Sequence, residues 1–296
     1  MITIFTPTYN RKEYIEKVYK SLINQTNKDL VWLIIDDGSI DQTEKYIHTC
    51  IEEKKINIEY YKQNNQGKHI AYNNACNRCK TDFMICLDSD DYFSDNAVEE
   101  LEEMTQKIKE DIWAVIGPRI HENGQLESEW KVTDYKKIKF QDIYQKYNYI
   151  GETYILLNMK LVKKYQFPKF EGEKFIPENA IYDRLDNDYY ILPTNKKIYI
   201  SDYKKDGYTN NGIKIFLKSN QGFCYSNLVR ASSKYNTMLK KAMAYARYIA
   251  IKKVFKVREN IRKEYELKIN VRVRIVSTLF IMPFCVKYKK YKLINR

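Results

Sequence analysis

The sequence predicts an α/β protein: a mostly parallel central sheet flanked by helices, with a basic helical extension at the C-terminal end. Three observations predict it. Short apolar runs alternate with stretches of helical periodicity over roughly the first 117 residues. Polar, mostly acidic clusters follow several of those runs directly. The charge then changes sign along the chain. Residues 204–296 hold 23 Lys and Arg against 4 Asp and Glu, whereas residues 1–203 hold 28 against 34, within a total of +13 over 296 residues.

Taken in order, Ile2 to Thr6 reads as the first strand. A helix follows from Asn10 to about Asn24, with Tyr14, Val18 and Leu22 on one face and Asn10 as its cap. Leu30 to Ile35 is the second strand, closed by Asp36-Asp37-Gly38-Ser39, and Asp41 to about Glu53 the second helix. Ile56 to Tyr61 is the third strand, followed by a polar loop through Gly67 and a helix from Lys68 to about Cys79. Asp82 to Leu87 is the fourth strand, Asp95 to Lys109 a helix, and Ile112 to Gly117 the fifth strand. Strands separated by helices of this length predict parallel pairing through right-handed crossovers. The clusters Thr6-Pro7-Thr8-Tyr9-Asn10, Asp36 to Ser39 and Asp88-Ser89-Asp90-Asp91 then share one edge of the sheet, where open α/β sheets bind ligands.

Beyond residue 117 the pattern loosens. His121 to Tyr149 is polar and irregular, Tyr154 to Met159 reads as a strand, and Lys160 to Tyr165 as a short helix. Pro177 can open a helix that continues from Asn179 to Tyr189, because its missing N–H would be unpaired there anyway. Ile198 to Ile200 is a short strand, and Asp206-Gly207 and Asn211-Gly212 mark turns. From Ser219 onward the chain is helical and basic.

The stretch Phe83 to Asp91 concentrates the chemistry. Five apolar residues lead into Asp88, Asp90 and Asp91, and like charges so close repel unless something positive sits among them. A hard divalent cation on oxygen ligands is one answer; a solvated acidic turn before a helix capped by Ser94 or Asp95 is the other.

Composition narrows the class. Apolar residues at 44% support a sizeable core. The six cysteines lack the spacing of a zinc site: Cys76-Asn77-Arg78-Cys79 has no second pair and lies in a helical pattern. The others look like small core residues, as in a reducing compartment. Met1 to Phe5 has neither the basic region nor the apolar core of a signal peptide. No apolar run reaches the roughly 18–20 residues that span a bilayer.

Five segments together resemble family 2 glycosyltransferases of the GT-A (Rossmann-like) fold. They are Thr6 to Arg11, Ser21-Leu22-Ile23-Asn24-Gln25-Thr26, Asp36 to Ser39, Gly67-Lys68-His69-Ile70-Ala71-Tyr72-Asn73-Asn74-Ala75, and Asp88 to Asp91. The firm match covers about residues 1–117 and a looser one runs to about 230. The resemblance implies a nucleotide-sugar donor, most simply a UDP-sugar. Thr6 and Asp37 would meet its base, Asp88 would lie near the ribose and Lys68, Pro7, Thr8 and Ser89 would be further donor-nucleotide contacts, and Lys68 and His69 would meet the nucleotide or its phosphates. Asp90, together with Asp91, would hold Mn²⁺ or Mg²⁺ against the diphosphate. It divides the chain into a nucleotide-sugar-binding half (1–118), an acceptor-side half (119–218) and a basic helical region (219–296).

In inverting members of that family a carboxylate at a helix start takes the proton from the acceptor hydroxyl. Pro177-Glu178-Asn179-Ala180-Ile181-Tyr182-Asp183-Arg184 fits that spacing, with Glu178 as base and Arg184 at the family's arginine position. Pro177 stands where the first acid of the usual pair would be, although Gly172 to Glu178 resembles a variant of bacterial surface-polysaccharide transferases. Asp183 is the reserve base and Glu173 a weaker one. Lys205-Asp206-Gly207-Tyr208-Thr209 resembles a loop near donor phosphate or acceptor, where Tyr203 and Tyr208 could stack on sugars.

The expected activity is hexosyl or N-acetylhexosaminyl transfer to a glycan or lipid-linked glycan, in bacterial capsule or surface-polysaccharide synthesis. The competing class is a catalytically silent nucleotide-sugar-binding or membrane-surface scaffold. At the C-terminal end, Arg272 and Arg274 precede a mostly apolar run, Ile275 to Val286, and Lys287, Lys289, Lys290 and Lys292 follow. That pattern suits a helix lying in an anionic membrane surface, which would make the protein peripheral on the inner face of the cell membrane. A core helix with solvated flanks is the plainer reading. Nucleic-acid binding is disfavoured, since no recognition motif accompanies the charge.

Overall fold

The computed structural model describes residues 1–201, 212–257 and 261–294. Two compact units emerge: residues 1–166 with 189–204, and residues 167–188 with 205–296.

The first unit begins with β1 (Ile2–Thr8), α1 (Lys12–Ile23), β2 (Leu30–Asp36), α2 (Thr43–Glu52), β3 (Asn57–Lys62), α3 (Lys68–Arg78) and β4 (Phe83–Cys86). It continues through β5 (Tyr92–Phe93), α4 (Ala97–Thr105), β6 (Ile112–Pro118), β7 (Ile120–His121), α5 (Phe140–Gln145), β8 (Thr153–Asn158) and α6 (Met159–Val162). After α7 (Asn179–Asp188) of the second unit, the chain returns with β9 (Tyr190–Pro193) and β10 (Tyr199–Ser201).

Seven strands form the main sheet in the order β3-β2-β1-β4-β8-β6-β9. The first four are mutually parallel, as is the β6–β9 pair. β8 is the exception: it runs antiparallel between β4 and β6, so those two strands are not neighbours. Every residue of β2 and β6 is buried, which is why both read as unbroken apolar runs rather than alternating ones. α1 buries Ile15, Val18, Tyr19 and Leu22, a stripe at helical spacing that lies against Trp32 and its neighbours in the core. A three-stranded sheet, β5-β10-β7, completes the unit. Residue 118, where the two expected halves of the domain meet, ends β6, and β8 pairs the later chain with β4.

Asn10 does not cap α1. It adopts a left-handed conformation (φ 52°), and Arg11 takes the N-cap position. Cys76 and Cys79 are buried free thiols, and burial pushes Cys76 up to about 12, which keeps that thiol protonated.

The second unit is helical: α7, then α8 (Gly212–Lys218), α9 (Asn220–Ser232), α10 (Met238–Phe255), α11 (Ile261–Glu264) and α12 (Val271–Ile294). Cys224, Tyr225, Leu228 and Val229 of α9 and Ala242, Ala246, Ala250 and Ile251 of α10 are fully buried. Among the described residues, no helix is long and apolar enough to cross a membrane. The turns expected at 206–207 and 211–212, the 205–209 loop, Tyr203 and Tyr208 lie outside the described residues, Gly212 excepted.

Candidate active site

The candidate site is built where β1, β2 and β4 end side by side. The turn after β1 and the turn after β2 are laced together. Asn10 N–H donates to Ser39 Oγ (2.9 Å), Ile40 N–H to Asn10 Oδ1 (2.9 Å), and Arg11 N–H to Thr43 Oγ1 (3.1 Å). Asp36, fully buried, accepts from Ser39 N–H (2.7 Å) and from the Tyr60 hydroxyl (2.7 Å). Asp37 accepts from Gln63 Nε2 (2.8 Å), Gln66 N–H (2.7 Å) and Gly67 N–H (2.7 Å). Both acids of the Asp36-Asp37 pair therefore brace the chain. Gly38 follows them at φ +85°, where a Cβ would lie 3.1 Å from Asn65 N and Gln63 O. Only glycine meets both conditions without strain.

Thr6 is buried and its hydroxyl accepts from Trp32 Nε1 at 2.9 Å, so its side chain belongs to the core, leaving its backbone to the edge. Pro7 pairs with Ile35 in register, and Thr8 C=O receives the Asp37 amide (2.8 Å).

The turn after β4 holds the charged centre. Lys68, the first residue of α3, places Nζ 2.7 Å from Asp88 Oδ1. Arg119, immediately after β6, reaches Asp88 Oδ2 (3.3 Å), Asp91 Oδ2 (3.2 Å) and Glu152 Oε2 (3.1 Å) with one nitrogen. Its guanidinium lies 4.2 Å from the centroid of the Tyr199 ring, and its Nε donates to Thr153 C=O (3.2 Å). Tyr199 on β10 accepts from Asp88 N–H (2.9 Å) and donates to Asp91 Oδ2 (2.9 Å). Its ring stacks on Tyr154. Tyr154 in turn fills the space above Gly117, where a Cβ would come within 2.4 Å of its ring.

These contacts sort the three aspartates. Burial would raise Asp88, but Lys68 and Arg119 outweigh it and hold that carboxyl well below the usual range. Burial, then the Asp88 charge, raises Asp90. Burial also raises Asp91, with Arg119 opposing and the other two carboxylates adding to the rise. Burial keeps the Tyr199 phenol protonated and therefore a donor. Asp91 and Ser89 are almost inaccessible. Asp91 is thus committed to Arg119 and Tyr199, and Asp90 is the more open acid.

Among the described residues, no three His, Cys, Asp or Glu side chains converge as a metal-binding group. The donor set nevertheless fits a hard cation that takes one or two carboxylates, here Asp90 with Asp88 beside it, and completes its shell with phosphate and water.

The remaining candidates lie in the second unit. Glu178 immediately precedes α7, and the Tyr182 hydroxyl is 3.4 Å from its Oε2. Asp183 is fully buried and accepts from Asn179 Nδ2 (3.1 Å) and Arg230 Nε (3.3 Å). Arg184 donates to the Tyr225 hydroxyl (3.2 Å). Glu173 accepts the Gln221 and Gly222 amides (2.8 Å each), capping α9. Asp183 and Glu173 are therefore occupied in holding helices together, and Glu178 is the exposed acid at the helix start, with the Tyr182 hydroxyl beside it. Arg119 and Tyr199 had no motif to announce them; the one sequence signal was an arginine directly after a buried strand.

A mostly parallel sheet with helices on its faces and an acidic turn after its fourth strand defines the class of fold. The sequence model of glycosyl transferase family 2 matches residues 3–166, more than half of the chain, and the chain belongs to that family. It is 26% identical over 226 residues to the GalNAc(5)-diNAcBac-PP-undecaprenol beta-1,3-glucosyltransferase of Campylobacter jejuni, covering 73% of this chain and 71% of that one. Other curated glycosyltransferase relatives are matched over only 14% to 40% of their own length. Among solved structures, S. aureus TarS 1-349 in complex with UDP-GlcNAc aligns with TM-score 0.61 at 18% identity, covering 93% of this chain and 78% of that one. The mannosyltransferase PcManGT from Pyrobaculum calidifontis, in complex with GDP-Man and Mn²⁺, aligns with TM-score 0.56 at 14% identity, covering 100% and 87%. At these identities the two structures establish the common fold.

Proposed function

We propose that this chain is an inverting glycosyltransferase that moves a sugar from a nucleoside-diphosphate donor to an acceptor hydroxyl during bacterial surface-glycan synthesis. The observation that carries the reading is the Asp88–Asp91 turn, held between Lys68 and Arg119 at the carboxyl ends of β1, β2 and β4. Membership of glycosyl transferase family 2 supports the reaction class. The UDP-GlcNAc and GDP-Man complexes of the fold relatives support a nucleotide-sugar donor, and a UDP-sugar is our choice. The Campylobacter relative, named for a PP-undecaprenol-linked glycan, supports a lipid-linked acceptor. Six free thiols suit a reducing compartment, which favours the cytoplasmic side.

In this reading the Thr6–Thr8 backbone and the loop braced by Asp37 wall the base. Asp88 and Ser89 border the ribose, and Lys68 offsets negative charge near the donor phosphates. Asp90 is the carboxylate that would hold Mn²⁺ or Mg²⁺, which when bound supplies Lewis-acid neutralisation of the leaving diphosphate. Asp91, Arg119 and Tyr199 hold the turn in position. Glu178 accepts the proton of the acceptor hydroxyl as that oxygen attacks the anomeric carbon and the carbon–phosphate-oxygen bond breaks. Arg184 keeps the helix that carries Glu178 against Tyr225.

Calorimetric titration with a panel of nucleotide sugars, with and without Mn²⁺, tests the assignment. A metal-dependent preference for one donor supports it and names the sugar. Folded protein that binds none of them returns the chain to the scaffold reading.

A further inference from the structure

α12 has two opposed apolar faces. One packs on α10, burying Val273, Ser277, Cys285 and Tyr288; Arg247 of α10 lies over the Phe284 ring at 5.0 Å, and Lys292 Nζ donates to Val254 C=O at 3.1 Å. The other carries Val271, Ile275, Leu279, Met282, Val286 and Leu293, each 63–74% exposed. At 3.6 residues per turn these six fall within an arc of about 80°, roughly opposite the packed face. Exposed Arg272 and Lys290 border the arc on one side and Arg274 on the other, with Lys289 near its edge. No acidic residue occurs after Glu266.

We propose that α12 docks this chain on an anionic lipid surface, with the stripe entering the headgroup–acyl boundary and the basic side chains meeting lipid phosphates. An apolar stripe bordered by lysine and arginine matches both features of such a surface. Lysine and arginine stems can lie along the apolar boundary while their charges stay among the headgroups. A second copy of α12 fits less well. The stripe would then be a helix–helix seam with Lys289 at its edge and basic residues on both borders, so like charges would face one another with no acid on the helix to pair them. Nucleic acid would leave the apolar stripe in water. The proposal is independent of the donor chemistry, which is measured in solution without lipid.

Flotation of the full chain with vesicles of phosphatidylcholine, alone or mixed with phosphatidylglycerol, tests it. Flotation is expected with the anionic vesicles only. Lys289→Gln with Lys290→Gln should lower partitioning about fivefold per charge removed. Leu279→Ser with Met282→Ser should lower it by about tenfold or more. Both pairs are exposed, and unchanged helical circular dichroism and thermal unfolding confirm the fold. Absence of flotation overturns the proposal, as does flotation that survives the Leu279 and Met282 changes. A dimer in sedimentation equilibrium that these same changes dissolve also overturns it, in favour of a second copy.

Discussion

The Tyr199 hydroxyl donates to Asp91 Oδ2 at 2.9 Å while accepting the Asp88 amide at the same distance, so one phenol on β10 fixes both ends of the acidic turn. Tyr199→Phe keeps the ring beneath Arg119 and removes only those two bonds. A hydrogen bond to a charged group contributes about 1.5–3 kcal/mol. We expect the unfolding midpoint to fall by several degrees, kcat/KM to fall about tenfold or more, and the Mn²⁺ concentration for half-maximal rate to rise. Steady-state kinetics across a metal titration would check it; unchanged metal dependence would remove Tyr199 from the site.

Arg119 offers a sharper contrast. Arg119→Ala leaves Asp88 and Asp91 without their shared cation in a buried setting, a loss of about 3 kcal/mol in stability. Arg119→Lys restores charge but neither the Nε bond to Thr153 C=O nor the planar face over the Tyr199 ring. Chemical denaturation should find the lysine variant near wild type, while its turnover stays well below. Full activity in Arg119→Lys would mean that charge alone suffices.

Glu178 and Asp183 lie half a helix apart in their consequences. Glu178→Gln should retain donor binding by calorimetry and lose transfer by about a hundredfold or more, the scale of general-base catalysis. Asp183→Asn should instead lower the unfolding midpoint, because it weakens the bond to Arg230 at a fully buried position. Near-normal turnover in Glu178→Gln would return the base assignment to another acid.

Gly38 predicts a local effect. Gly38→Ala adds a Cβ 3.1 Å from backbone on either side at φ +85°, a strain of about 1–3 kcal/mol. Donor affinity should drop while the acceptor-side chemistry, measured at saturating donor, changes little. Equal losses in both would contradict a confined role.

The strands were legible because β2 and β6 are buried along their whole length and read as nearly continuous apolar runs, while β1 and β4 are largely buried stretches that end in polar clusters. The polar clusters were legible because they follow those runs without a gap. The functions of individual acids were less so. Asp37 braces Gln66 and Gly67, partners that lie about thirty residues away, and Glu173 caps a helix beginning 47 residues later. Tyr199 meets Asp91 across a separation of 108 residues. Local pattern carries no record of such pairings. The same holds for β8: its apolar run was visible, but its insertion between β4 and β6 is a matter of long-range register. Asn10 misled because its type suits a cap equally well as a left-handed turn.

The bracing of the loop after β3 against the turn after β2 has a thermodynamic consequence. The amides of Ser39, Gln66 and Gly67 end on buried carboxylates, not on water. Their exchange with deuterium should be slow before any ligand arrives and change little afterwards, since exposing them requires two strand ends to open together. An edge ordered in advance surrenders little conformational entropy on binding. Donor selectivity at that edge would then rest on complementarity to a fixed shape, with no contribution from a flap that folds around its guest.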